Sequence, residues 1–424
     1  MMNRAVRLHG QNDLRLDTFE LPDIREDEIL ARVVSDSICM STYKAAIQGT
    51  RHKRVPADVA EHPAIVGHEC CGVIEKVGAR WRDQFAPGDR FTLQANMDYH
   101  GTGMNPGYAF EFCGGASQYA VLFPEIMEQG CLLKYQGEAF FNGSLSEPMS
   151  CIVGAFKAQY HTRPGDYGHN MGIRAGGNMA ILGGAGPMGL GAIDYALHGP
   201  RQPGLLVVTD INRRRLDRAA RIYTLAEAER MGVRLVWLNP DDVPDAALAL
   251  REIAVAQGFD DVFVFTPKEE VVRQADAVLG QDGCLNFFAG PTDRAFSARF
   301  NFYDVHYAAH HLVGTSGGNA QDMRDAQALI AAGRINPAGM ITHIGGLDAC
   351  AEATLNLPEL PGGKKLIYTH LSLPLIAIDD LAALGEKDPL LSALAQICAR
   401  HDGLWNAEAE ACLLERGKRV QPNG

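Results

Sequence analysis

The chain has 424 residues, 46% of them hydrophobic and 21% charged, the composition of a globular protein with room for two or three domains. Its 39 Lys plus Arg against 51 Asp plus Glu give a net charge of −12, which argues against a general binder of nucleic acid or of an anionic membrane. Apolar runs stay shorter than the roughly 18 residues that a membrane span needs, and the first residues show no signal-like segment, so a cytoplasmic address is expected.

Up to about residue 124, short apolar runs alternate with turn residues. Strands are predicted over residues 29–35, 72–77, 90–93 and 117–123, the unit being all-β and barrel-like. A Gly-rich stretch at 101–107 is expected to form a surface lobe. From about residue 145 the pattern turns to alternating strand and helix. Strands are predicted at 179–182, 205–209, 235–238, 261–265, 284–288 and 311–315, with helices at 188–197 and 216–231. Strands joined by helical crossovers imply a parallel, doubly wound sheet with ligands at the strand ends. A helix at 322–332 follows, then a Pro-, Gly- and apolar-rich stretch to residue 369, and finally an appended strand and a helix at 389–400. The Gly-rich segment 166–177 has no chemical reading.

The strand ending at Leu182 runs into Gly183-Gly184-Ala185-Gly186-Pro187-Met188-Gly189, a G-x-G-x-x-G pattern at 184, 186 and 189 that opens a helix. The first glycine permits a tight turn, the second lets the backbone approach a pyrophosphate, and the third lets helix and strand pack closely. The next strand ends on Asp210, 21 residues beyond Gly189, where a carboxylate can bond the hydroxyls of an adenosine ribose. The site therefore predicts a dinucleotide bound by Gly184, Gly186, Pro187, Met188, Gly189, Asp210 and Arg215. Asp210 favours NAD, whereas Arg213, Arg214 and Arg215 stand where a 2′-phosphate could be held, so both cofactors stay open; a solvated helix start explains Arg213 and Arg214 equally well.

Cys39 follows the third apolar run, and 29 residues later comes Gly67-His68-Glu69. Thiolate, imidazole and carboxylate are ligands that Zn²⁺ accepts, and an open catalytic site takes three plus a water or substrate. Glu147, where the β-rich and α/β parts meet, is a candidate for the third, and a cleft is expected there. The ten cysteines, with no C-x-x-C pair among them, read as reduced thiols. His306, His310 and His311 read as structural or interface residues rather than as a second metal site.

In order along the chain, Cys39-Met40-Ser41-Thr42-Tyr43, Gly67-His68-Glu69-Cys70-Cys71-Gly72, Pro87-Gly88-Asp89-Arg90, Gly114-Gly115-Ala116-Ser117-Gln118-Tyr119 and Glu147-Pro148 resemble the motifs of the zinc-dependent medium-chain dehydrogenase/reductase family. With the dinucleotide motif and Ile341-Thr342-His343, the resemblance covers about residues 1–369 and is closest to the sugar-phosphate and polyol branch. It implies an α/β plus β fold: a GroES-like β-barrel catalytic domain at 1–154 and 313–424, interrupted by a doubly wound Rossmann domain at 155–312. It implies Cys39 and His68 as zinc ligands, with Glu69 or Glu147 as the third and the other close by. Ser41 matches the hydroxyl that passes a proton to or from the substrate oxygen; Thr42 and Lys44 depart from the Asp and His that many relatives carry beyond it. Of the four cysteines that hold a structural zinc in many relatives, Cys113 alone stands between Arg90 and Gly114, so one zinc per subunit is expected. Relatives are dimers or tetramers, and the same is expected here.

Between the two ligands lies Thr50-Arg51-His52-Lys53-Arg54, with Lys44 upstream, a basic run in an acidic chain. Lys44, Arg51, Lys53 and Arg54 are therefore candidates to hold a substrate phosphate, against the alternative of a solvated loop or subunit contact. The resulting expectation is NAD(P)H-linked reduction of the C2 carbonyl of a ketose phosphate, with zinc as Lewis acid. The alternatives are an NAD-dependent dehydrogenase of an unphosphorylated polyol and a non-catalytic nucleotide-binding protein on the same fold.

Overall fold

The computed structural model describes residues 1–255 and 257–420. The chain divides into two compact units. The first comprises Met1–Pro148, Asn319–Gln327 and the residues from Pro337 onward; the second comprises Met149–Gly318 and Ala328–Asn336. These boundaries fall at 148/149 and 318/319 where the sequence suggested 154/155 and 312/313, and residues 328–336 join the second unit. The helix Phe140–Ala158 runs through the first boundary, which is why no turn signal marks it.

In the first unit the strand Ile29–Ile38 is the centre of an eight-stranded mixed sheet. It pairs antiparallel with Cys70–Val77, Tyr119–Leu122 and Lys364–Tyr368. Nearly every residue of this strand is buried, its apolar Ile29-Leu30-Ala31 and Val33-Val34 being broken only by the half-buried Arg32. Its polar end, Ser35, Asp36 and Ser37, is buried as well, and buried polar groups need partners; Ser35 finds one in Ser144, and Asp36 and Ser37 find theirs in Glu69. A second sheet joins Met2–Gly10 to Asp13–Glu20 and Ala64–Ile65. The C-terminal helices Pro389–Ala399 and Ala407–Arg416 close a core of Leu391, Leu394, Trp405 and Leu413 against Ile344, Leu366 and Tyr368.

The second unit holds a six-stranded sheet in the order Arg234–Leu238, Leu205–Thr209, Asn178–Leu182, Phe259–Val264, Leu279–Phe287, His311–Gly314, every pair parallel. In sequence rank that order is 3-2-1-4-5-6, the doubly wound dinucleotide-binding topology.

Three expectations change. The helix expected at 216–231 is two, Arg213–Ile222 and Leu225–Arg230, because the Thr224 hydroxyl accepts the Glu227 N–H and caps a new start. Segment 166–177 contributes the strand Asp166–Met171, which pairs with Tyr160–Arg163 as a hairpin. The stretch before residue 369 contains two buried strands, Ile341–Gly346 and Lys364–Tyr368; the paired lysines that open the second hid it from a reading by hydropathy. No helix of the described residues is long and apolar enough to cross a membrane.

Candidate functional site

Two backbone corners of the first unit bring the predicted metal donors together. Cys39 sits in extended backbone (φ −106°, ψ 146°) as the residue before the helix Met40–Gln48. His68 and Glu69 precede the strand Cys70–Val77. Donor atoms of Cys39, His68 and Glu69 all lie within 4.8 Å of one another, and among the described residues this is the one such group of His, Cys, Asp and Glu. His68 and Glu69 are buried, Cys39 half-buried. A thiol, an imidazole and a carboxylate at this spacing fit a zinc ion.

Glu69 is already engaged: its carboxylate accepts the Ser37 hydroxyl and pairs with the Lys364 ammonium. Glu147, buried in the helix Phe140–Ala158, faces the same cluster, within electrostatic reach of His68, Glu69, Cys39 and Lys364. Burial, with Glu69 and Cys39 as negative neighbours, pushes the Glu147 carboxyl up to about 7 against the pull of His68 and Lys364. Burial likewise raises Asp36 to about 7, although its carboxylate accepts the Glu69 N–H at 3.0 Å. The Cys39 thiol is raised by burial and by Glu69. These are the signs expected where acidic groups crowd a dry place around one ammonium, and a divalent cation among the donors reverses them. Lys364 itself is pulled down by burial, but Glu69, Cys39 and Glu147 outweigh that and hold it above the ordinary lysine value.

That ammonium makes a stability prediction. Lys364→Met leaves the Glu69 carboxylate buried without its ion-pair partner, a change that costs roughly 3–5 kcal/mol in such sites. Chemical denaturation with a chelator present should show the loss; an unchanged midpoint would mean that the pair adds nothing.

Ser41 donates to Cys39 Sγ at 2.9 Å and lies 3.4 Å from His68 Nε2. Tyr108, which the sequence did not single out, donates its hydroxyl to Ser41 Oγ at 2.7 Å and lies 3.3 Å from His68 Nε2. It directly follows the stretch 101–107 expected to be a surface lobe. Residues 101–103 are exposed, but 105–109 are buried. Asn105 donates to the carbonyls of Ala95 (2.8 Å) and Met97 (3.0 Å), and Gly107, at φ +76°, lets the chain pass where a Cβ would strike the Gly67 carbonyl. The loop is thereby drawn in against His68. No motif flagged Tyr108, since a lone aromatic after glycines carries no spacing signal.

The basic candidates separate. The Arg54 guanidinium lies 5.0 Å over the Tyr108 ring, a cation–π contact, and the His68 ring is 4.9 Å from the same Tyr108. Lys44 is half-buried; burial lowers its ammonium and Cys39 opposes that, so it too stands within reach of the donors. Arg51 and Lys53 are exposed.

In the second unit, Gly186 precedes the helix Pro187–His198, with Pro187 and Met188 in its first turn. Gly184 donates its N–H to the Thr209 carbonyl at 2.8 Å. Gly189 packs so closely that a Cβ would run into the Gly184 carbonyl. Asp210, buried at the end of the strand Leu205–Thr209, accepts from the N–H of Ala185 (3.0 Å) and of Asn212 (2.9 Å), which ties it to the glycine turn. Arg213 pairs with Asp242, Arg214 is exposed, and the half-buried Arg215 donates its backbone N–H to Asn212 (3.1 Å). His311 bonds Asp282 at 2.8 Å in this unit, a structural role.

Comparison with known proteins is consistent with these two sites. The family described as Alcohol dehydrogenase GroES-like domain matches residues 25–129. An L-sorbose 1-phosphate reductase of Klebsiella pneumoniae is 51% identical over 417 residues, 98% of this chain and 98% of the relative. A mannitol-1-phosphate 5-dehydrogenase of Aliivibrio fischeri is 50% identical over 411 residues, 97% of each. Among solved structures, the 2R,3R-butanediol dehydrogenase of Bacillus subtilis matches with a TM-score of 0.70 at 20% identity, over 87% of this chain and 99% of that one; it supports the fold.

Proposed function

We propose, from the premise that the chain belongs to the medium-chain dehydrogenase/reductase family, that this oxidoreductase reduces L-sorbose 1-phosphate to D-glucitol 6-phosphate by hydride addition at C2, using zinc and NAD(P)H. One zinc per subunit would be held by Cys39 and His68 with Glu69 as third ligand and Glu147 beside it. The ion supplies a Lewis acid for the carbonyl and NAD(P)H supplies the hydride. Ser41, bonded to both Cys39 Sγ and the Tyr108 hydroxyl, is placed to pass the proton that the reduced oxygen needs. Lys364 and Ser37 hold Glu69 in place. In the second unit, Gly184, Gly186, Gly189 and the first turn with Pro187 and Met188 would receive the pyrophosphate, with Asp210 and Arg215 at the ribose.

The observation that carries the substrate choice is Arg54, placed over the same tyrosine that touches Ser41 and His68. L-sorbose 1-phosphate bears its phosphate on the carbon next to the carbonyl, so the anion must bind close to the reacting oxygen. Mannitol 1-phosphate oxidised at C5 bears it four carbons away; the 50% identity to a dehydrogenase of that name makes this the second reading. The deciding assay follows NADH and NADPH oxidation with L-sorbose 1-phosphate, D-fructose 6-phosphate and L-sorbose, beside zinc content. Preference for fructose 6-phosphate selects the second reading, and turnover of free sorbose as well as of its phosphate rejects both.

Arg54→Ala should raise KM for L-sorbose 1-phosphate about 10- to 100-fold, the worth of one or two charge-assisted hydrogen bonds. The same substitution should leave the KM for NAD(P)H unchanged. Arg51→Ala and Lys53→Ala, exposed beside it, should have little effect. Equal effects at all three positions would point to a general field of the loop.

A further inference from the structure

A buried carboxylate of the C-terminal segment joins two elements that carry side chains of the candidate metal site. Glu410, in the helix Ala407–Arg416, is buried. It accepts the N–H of Phe140 at 2.5 Å and of Phe141 at 2.8 Å, the first N–H groups of the helix Phe140–Ala158. It also accepts the Tyr368 hydroxyl at 2.9 Å, and the Trp405 indole N–H donates to that same hydroxyl at 2.7 Å.

The two elements joined in this way each carry a side chain of the cluster. Glu147 lies seven residues after Phe140 in the helix, two turns along and so on the same face. Lys364, the partner of Glu69, begins the strand that Tyr368 ends. The helix has particular need of an anchor before Glu147, because Pro148 follows it inside the helix and takes one N–H out of the ladder. The first two turns are therefore held less by the helix behind them than by what caps their start.

We propose that Glu410 is a positioning residue for the metal centre: by capping the Phe140 helix and bonding Tyr368, it fixes Glu147 and Lys364, and through Lys364 also Glu69, relative to Cys39 and His68. The proposal rests on the reading of Cys39, His68 and the carboxylates as a zinc site. It gives the C-terminal segment a part in metal retention, which packing alone would not.

The test uses the full-length enzyme loaded with zinc. Zinc release to a chromogenic chelator is timed for the wild type, Glu410→Ala, Glu410→Gln, and Leu394→Ala. Leu394 is buried in the neighbouring helix Pro389–Ala399 and touches the same core, so its truncation weakens the segment without removing the cap. Glu410→Ala should release zinc about 10- to 100-fold faster, the range for partners that orient metal ligands. Glu410→Gln, whose amide oxygen still accepts an N–H, should fall between it and the wild type. Leu394→Ala should release zinc at nearly the wild-type rate even where its melting temperature drops as far. Release that follows melting temperature across all three variants, Gln included, overturns the positioning role and leaves Glu410 as ordinary packing. A wild type that binds no zinc overturns the metal site itself, a separate outcome from the first.

Discussion

Replacing Cys39 by serine, or His68 by alanine, is expected to remove the zinc and to lower kcat/KM with L-sorbose 1-phosphate by about 10³- to 10⁴-fold. The size follows from what the metal does: stabilising developing charge on the carbonyl oxygen is worth several kcal/mol, and each ~1.4 kcal/mol is a factor of ten in rate. Cys39 and His68 are the right targets because, among the described residues, neither takes part in an ion pair, whereas Glu69 is tied to Lys364 and Ser37. Serine at 39 keeps the size and the cap position of the helix Met40–Gln48 but offers a hydroxyl that does not ionise near neutral pH. Metal content by atomic emission, with steady-state kinetics, measures both halves. Zinc retained with less than a tenfold change in rate would remove Cys39 from the ligand set.

Gly189→Val is expected to abolish cofactor binding at practical concentrations, weakening NAD(P)H about 100-fold or more while zinc content stays at the wild-type level. A Cβ at this position meets the Gly184 carbonyl, and a valine must push the helix Pro187–His198 away from the strand Asn178–Leu182. Forced overpacking costs about 1–3 kcal/mol, and the displaced turn loses the alignment of helix N–H groups with the phosphates. Titration by nicotinamide fluorescence gives the affinity. The two experiments form a cross: the metal variants should still bind NAD(P)H, and the glycine variant should still hold zinc. Loss of both properties in either variant would show a folding defect in place of a local one.

The second unit was the more legible in the sequence. Six parallel strands and the Gly-rich turn were visible because parallel strands buried on both faces are continuous apolar runs, and Leu205–Thr209 and Asn178–Leu182 are of this kind. The ligand corner at Cys39, His68 and Glu69 was visible through its residue types and order. What stayed hidden shares one cause: polar residues buried by partners far off in sequence. Lys364 and Lys365 open a fully buried strand, yet in hydropathy terms they end one. Glu410 lies in a helix beyond the last predicted one, and nothing in its spacing sets it apart from a solvated acid. Tyr108 depends on a close approach between Gly107 and Gly67 that spacing does not encode. The basic run was seen as a group, but which of its members faces the cluster is decided by the ring beneath Arg54.

The pairing of Ile29–Ile38 with Lys364–Tyr368 has a consequence for biosynthesis. Asp36 stands opposite Ile367, so this sheet cannot close until the ribosome has delivered the whole intervening unit, and closing so long a loop makes it a late event in folding. Glu69 and Lys364 are 295 residues apart. Until Lys364 has been made and its strand has paired, the Glu69 carboxylate is without its ammonium. The corner that gathers Cys39, His68 and Glu69 is thus completed by a strand that the chain delivers nearly three hundred residues later.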